Sequence, residues 1–160
     1  GTILREVLAA AQRLQSEDGL AVEVWSVTSF SELQRDGLAC DAQSCNAPSC
    51  HTQQPWITQC LAPPQARADD KASAAKSAMT PTIPTTAIPT IAATDYVRAL
   101  PELVRAWVPG PYTTLGTDGY GRSDTRAALR AHFQVDAAAI VAAARRALRL
   151  RPLPSGSAPA

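Results

Sequence analysis

Two stretches of this sequence hold residue types that could do chemistry. The first is Cys40, Cys45, Cys50 and His51, spaced as C-x4-C-x4-C-H, with Cys60 beyond them. Thiolates and imidazole are ligands that zinc takes, but structural zinc sites place two sulfurs on one turn through C-x2-C knuckles. Five-residue steps with Pro48 between them do not supply that geometry. Four cysteines also allow three disulfide pairings. Structural zinc, a disulfide and thiols with no shared role in a variable loop therefore stand as alternatives. The second stretch is residues 112–125, Y-T-T-L-G-T-D-G-Y-G-R-S-D-T. A glycine-rich loop carrying a carboxylate could cradle an anion or help hold magnesium. The spacing G-x-x-G-x-G is not the dinucleotide pattern G-x-G-x-x-G, and no Lys-Ser/Thr follows to make a P-loop. Asp118 has no further oxygen ligands at a spacing that suits magnesium. Gly116, Asp118, Gly119, Gly121, Ser123 and Asp124 are therefore read as a tight loop with a structural or docking role. No residue is assigned to catalysis, cofactor or metal. No G-x-S-x-G occurs, and His132 in A-L-R-A-H-F is read as a surface or semi-buried helix position.

The elements around the loop follow from the same stretch. A short β-type run at 112–115 breaks into the glycines, and Ser123-Asp124-Thr125 is a helix N-cap cluster before a helical run at 126–133. Strand, tight loop and capped helix make the turn of an α/β domain, at the edge where such domains bind things.

The chain has 160 residues, enough for one domain with a real core. Its net charge of +1 gives no strong field toward nucleic acid or a membrane surface. No apolar run approaches membrane-spanning length, and the longest, 137–144, is short and alanine-rich. No secretory signal is visible, so a cytoplasmic setting with reduced thiols is expected. The sequence opens with Gly1-Thr2 ahead of a helix, without an initiator Met, and reads as part of something longer.

Residues 1–15 have the pattern of an amphipathic helix, with Ile3, Leu4, Val7, Leu8, Ala11 and Leu14 on one face and Arg5, Glu6 and Arg13 off it. Gly19 is placed to end the connection. Residues 21–28, A-V-E-V-W-S-V-T, alternate as a strand. A helix with Ser29/Glu32 and Ser31/Gln34 capping boxes follows, and is expected to end near 37–40. Residues 40–54 read as irregular, and Pro55 suits the first position of a short helix at 56–61. Residues 62–89, rich in Ala, Thr, Pro, Ser and Lys, are expected to form a disordered surface insert. A strand at 90–93 then leads into a helix capped by Thr94-Asp95. That helix buries Tyr96, Leu100, Leu103, Val104 and Trp107 and is interrupted at Pro101. The last helix takes Asp136 as N-cap and buries Ile140, Val141, Ala144 and Leu148. Arg145, Arg146 and Arg149 near its end complement the helix dipole, a sufficient reason for them without nucleic acid. Residues 151–160 form a flexible tail. The domain thus divides into 1–61 and 90–150 around the insert. Strands alternating with helices predict a mostly parallel sheet covered on both faces, a narrow one of which only three strands are visible.

Four blocks, G-T-I-L-R-E-V (1–7), V-W-S-V-T-S-F-S-E-L-Q-R-D-G-L (24–38), A-A-T-D-Y (92–96) and Y-T-T-L-G-T-D-G-Y-G-R-S-D-T-R (112–126), resemble one family in its order. They look like the C-terminal domain of the homodimeric decarboxylating component of the bacterial pyruvate dehydrogenase complex, in the transketolase superfamily. F-Q-V-D at 133–136 also fits. The sequence departs from the family at Gln43 and Ala47, where Trp and His are usual, at the four cysteines, and in the long 62–89 segment.

The resemblance implies an α/β fold of the transketolase C-terminal-domain type, a three-layer α/β/α sandwich with a small, mostly parallel sheet whose first strand would lie just before Gly1. In such enzymes thiamine diphosphate and magnesium sit between two earlier domains, held by a G-D-G…N-N motif and an activating glutamate, none of which occurs here. The whole enzyme would decarboxylate pyruvate oxidatively and pass the acetyl group to lipoyl groups. This chain is then expected to be inactive alone and to bind no cofactor. Its expected partners are the remainder of its own polypeptide, a homodimer partner and the dihydrolipoyl acyltransferase. The alternative is a free-standing docking module of the same fold, with no catalysis of its own.

Overall fold

A two-stranded parallel sheet, β1 (Thr90–Ala93) and β2 (Tyr112–Leu115), runs through the middle of the molecule in register from Thr90 opposite Tyr112 to Ala93 opposite Leu115. The computed structural model describes residues 2–46, 53–62 and 88–149, with side chains at 44–46 and 149 excepted. The expectations for residues 63–87, the tail, Cys45, Cys50 and His51 fall outside the described residues or side chains.

Strand alternation sends side chains to opposite faces, and each face meets its own helices. Ile91, Ala93 and Leu115 pack on α1 (Ile3–Asp18) and α6 (Ala137–Arg149), around buried Ala10, Leu14, Ile140 and Val141. Tyr112 faces the other way, onto Ile57, Val104 and Val108, with Phe30, Leu33 and Trp107 closing that cluster. This second layer is built from α2 (Phe30–Asn46), α3 (Trp56–Leu61), α4 (Ala99–Glu102) and a 3₁₀ turn at Arg105–Trp107. The result is the helix–sheet–helix layering expected from the sequence. α5 (Arg126–His132) links β2 to α6.

Several local expectations are corrected. Residues 21–28 are not a strand, and the described sheet is β1 and β2 alone. The alternation still marks which side chains turn inward, since Leu20, Val22 and Val24 are half-buried between exposed neighbours. Leu8, placed on the apolar face of α1, is exposed, while Ala10 is buried. α2 does not end at 37–40 but continues to Asn46. Gly37 lies inside it because the Trp107 indole is seated there, and a Cβ on Gly37 would come within 2.4 Å of the ring. Cys40, one turn on, is buried, and burial pushes its thiol pKa up, with Asp36 and Asp41 adding to the shift. Trp107 Nε1 donates to Asp41 across the same contact at 3.0 Å.

The crossover helix does not begin at Thr94-Asp95. The Thr94 hydroxyl accepts from Tyr96 N at 3.2 Å and makes a turn, so helix starts only at Ala99 and Tyr96 is exposed. The expected interruption is present: α4 ends at Glu102, one residue after Pro101, and a separate 3₁₀ turn follows at Arg105–Trp107. Pro101 itself is buried within the first turn of α4, where no intrahelical donor is required of it. The glycine and capping signals behave as expected at three places. Gly19 closes α1 in the left-handed region (φ 65°), the Ser29 hydroxyl accepts from Glu32 N, and Asp136 accepts from Ala139 N at 2.9 Å to open α6. Arg145 does more than face the end of its helix dipole: it bridges to Asp18 and Glu17 of α1. No described helix is long and apolar enough to cross a membrane.

Candidate functional site

The loops that leave the carboxyl ends of β1 and β2 are laced to each other, and this lacing fixes the glycine loop. Beyond the last ladder pair, Thr94 N donates to Leu115 O and Thr117 N donates to Tyr96 O at 2.9 Å. The Thr117 hydroxyl donates to Asp95 O. Asp118 reaches across, accepting from Arg98 N at 2.9 Å and from Arg98 Nε at 2.5 Å. Those bonds from the Arg98 backbone and then its side chain hold the Asp118 carboxyl below the usual aspartate range. Asp118 is therefore a loop staple.

The glycines divide by role. Gly116 sits where the two loops touch, and a Cβ there would lie 2.7 Å from Tyr96 O and 2.9 Å from Arg98 N. Gly119 has φ +100°, a conformation that L side chains rarely adopt. Gly121 has neither constraint. The cap of α5 is not Ser123 or Asp124. Thr125 takes that place, its hydroxyl accepting from Ala128 N, while Asp124 Oδ1 accepts from Thr125 N at 2.7 Å. The N-cap must immediately precede the first helical residue, and that residue is Arg126.

Between this loop, the start of α1 and the face of α5 lies a cleft of about 330 Å³. Of the six loop residues singled out in the sequence, Gly119 and Gly121 line it; Gly116, Asp118, Ser123 and Asp124 do not. Ile3, Leu129 and Phe133 supply apolar wall, and Arg122, Arg126 and Arg130 supply charge. His132 is exposed, stacked edge-on against Phe133 at 5.0 Å, and does not line the cleft.

Two polar networks are not legible as local motifs. Glu6 accepts from Arg130 Nη1 at 2.6 Å and from Ala137 N at 3.1 Å, joining α1, α5 and α6. Arg130 also donates to Thr2 O. On the other face Glu102 pairs with Arg105 and accepts from the Thr114 hydroxyl, while Arg105 donates to Tyr112 O at 3.0 Å. The Arg105 hydrogen bond, then that of Thr114, pulls the Glu102 carboxyl down to about 2. Burial, with the Glu102 charge nearby, pushes the Tyr112 hydroxyl up to about 12, and that hydroxyl donates to Pro101 O. The sequence signal for the second network was the i, i+3 pair Glu102/Arg105; for Glu6 there was none, since its partners are 124 and 131 residues away.

Among the described residues, no three His, Cys, Asp or Glu side chains converge on a point that could hold a metal ion. The arrangement is that of a fastened scaffold with a basic, partly apolar cleft beside the glycine loop; a second cleft, lined by Arg13, Arg145 and Arg146 with Ala138, Val141 and Ala142, lies between α1 and α6.

Residues 1–136 match the family described as the transketolase-like TK C-terminal domain. Among curated relatives, the chain is 40% identical over 149 residues to a pyruvate dehydrogenase E1 component of Pseudomonas aeruginosa, covering 92% of this chain and 14% of that protein. It is 40% identical over 148 residues to that of Mycobacterium tuberculosis, with the same two coverages. With the protein of the same name from Escherichia coli it shares 39% over 145 residues, 90% of this chain and 14% of that one. The chain thus spans 14% of the length of these relatives.

Proposed function

The chain belongs to the transketolase-like C-terminal domain family, and on that footing we propose that it serves as the C-terminal domain of a pyruvate dehydrogenase E1 component. The observation that carries this is 40% identity across 92% of the chain to proteins of that name. The whole enzyme would use thiamine diphosphate and magnesium to decarboxylate pyruvate and deliver the acetyl group to lipoyl groups of a dihydrolipoyl acyltransferase. It would act as a cytoplasmic homodimer. The residues present here do not fit that cofactor. The G-D-G…N-N motif is absent from the sequence, and Asp118, the carboxylate of the glycine loop, is already held by Arg98. This domain's contribution is then structural: two helical layers clamp a short sheet and present the laced loops as a surface for its own polypeptide and its dimer partner.

Two measurements test the proposal. An antibody to this domain, used on source cells, should detect a polypeptide several times longer than 160 residues; a band at the size of this chain alone would overturn it. Titration of the isolated chain with thiamine diphosphate and magnesium should give no saturable heat, and pyruvate should not be consumed. Saturable binding would place cofactor chemistry in this chain and sink the structural assignment.

A further inference from the structure

The cleft beside the glycine loop has charges that the fold does not use. Arg13, Arg35, Arg98, Arg105, Arg130 and Arg145 each hold a carboxylate, whereas Arg5 and Arg146, which lie outside this cleft, form no ion pair among the described residues. Arg122 and Arg126, both lining the cleft, make no hydrogen bond or ion pair among the described residues. The one carboxylate in the cleft wall, Asp95, accepts from the Thr2 hydroxyl at 3.2 Å and does not neutralise them. The remaining cation of the wall, Arg130, is committed to Glu6. Half-buried Ile3, Leu129 and Phe133 give the cleft most of its apolar wall, and Tyr120, 98% exposed, also lines it.

We infer that this cleft binds a small amphipathic anion, an aryl or acyl phosphate or carboxylate. Its charged end lies between Arg122 and Arg126 and its apolar body lies on Ile3, Leu129 and Phe133. Three observations converge on this class. The cleft opens at the carboxyl ends of parallel strands, the edge where open α/β sheets receive ligands. Guanidinium groups match carboxylate and phosphate oxygens in paired, charge-assisted hydrogen bonds. A mostly apolar wall with a few polar groups at one end favours an organic anion over a bare ion. The volume of about 330 Å³ admits a ligand of one ring or a short acyl chain. The rim is also set in advance, since the Thr117, Asp118 and Arg98 bonds hold the loop before any ligand arrives.

The test is calorimetric titration of the chain at low salt with phenyl phosphate, inorganic phosphate and benzyl alcohol. Phenyl phosphate should bind saturably with a Kd of about 1 mM or below, as a ligand of that size can. Inorganic phosphate should bind roughly tenfold more weakly and benzyl alcohol not measurably. R122Q/R126Q should weaken phenyl phosphate by about 10- to 100-fold with an unchanged urea midpoint, since neither side chain has a structural partner. R146Q, which lies outside the cleft, should leave binding as it is. Absence of saturable phenyl phosphate binding would overturn the inference, as would binding that R122Q/R126Q leaves intact. Inorganic phosphate binding as tightly as phenyl phosphate would also overturn it, because two solvated arginines alone would then explain the signal.

Discussion

Glu6→Ala should destabilise the domain more than any other single removal of a charged side chain. The carboxylate is 22% exposed and its partner Arg130 19%, so most of the pair is out of water and salt screens it little. Removal leaves two groups without their acceptor: the Arg130 guanidinium, which keeps only Thr2 O, and the Ala137 N–H in the first turn of α6. An orphaned, partly buried donor costs about 1–2 kcal/mol and a broken buried pair about 3–5. With a fifth of each side chain still wetted, about 3 kcal/mol is expected for the variant. Urea unfolding at pH 7 should show this as a lower midpoint with unchanged m-value. Glu6→Gln, whose single carbonyl oxygen replaces only one of the two acceptors and which turns an NH2 toward the other donor, should recover less than half of that loss. The double-mutant cycle with Arg130→Ala should give a coupling of about 1–2 kcal/mol. A loss under about 1 kcal/mol with no coupling would mean that Glu6 does not join the three helices in solution.

The other expectations concern capping, the loop, acid stability and the α2 contact. Thr125→Ala should cost about 1 kcal/mol in the same unfolding assay, while Ser123→Ala should stay within about 0.5 kcal/mol; the reverse order would return the α5 cap to Ser123. Gly119→Val should cost roughly 1–3 kcal/mol because φ +100° is strained for a β-branched residue. Gly121→Ala should be near neutral, since a Cβ there meets open space. Glu102 has a folded pKa of about 2 against an ordinary 4.5, chiefly through Arg105. A depressed carboxyl stabilises above the unfolded pKa, so this contribution is full above about pH 4.5 and is lost as pH falls toward 2. Glu102→Gln should therefore flatten the fall of the urea midpoint over that window, and an unaltered acid slope would show that the pairing is not made. Gly37→Ala should displace the Trp107 ring, break its bond to Asp41 and cost roughly 1–3 kcal/mol, visible as a shift in tryptophan emission.

Several signals between neighbours a few residues apart are read correctly, though the Thr94-Asp95 cap is not among them. The Ser29 and Asp136 caps, the Gly19 terminus and both parallel strands are local in this sense, set by side chains within reach of their own backbone. Gly37 shows where that logic stops. A glycine in a helical pattern reads as a terminator, yet here it is a place for an indole 70 residues away, so α2 runs on and Cys40 becomes a core residue rather than the start of a loop. Residues 21–28 fail for the related reason that alternation reports a side chain's facing and not a backbone partner. The glycine loop was legible as a loop at the sheet edge, but not its division of labour. Only the structure separates Gly116, excluded from carrying a side chain by Tyr96 and Arg98, from Gly121, which has no such neighbour.

The two polar networks explain how so narrow a sheet can hold its edge. Two strands of four residues bury little apolar surface by themselves, so their ends depend on what is tied to them. On one face Glu102 and Arg105 bind the crossover to β2 through Thr114 and Tyr112 O. On the other, Glu6 and Arg130 bind the start of α1 to the helices that follow β2. Beyond the carboxyl ends, Asp118 and Thr117 bind the two loops together. Two of the three ties lie beside the cleft, since Thr2, Thr117 and Arg130 line it, whereas the Glu102–Arg105 tie reaches Tyr112, at the other end of β2. Arg122 and Arg126 take part in none of them. The edge beside the cleft is thus fastened by other residues, and the two arginines stay available for the anion proposed above without a cost to the fold.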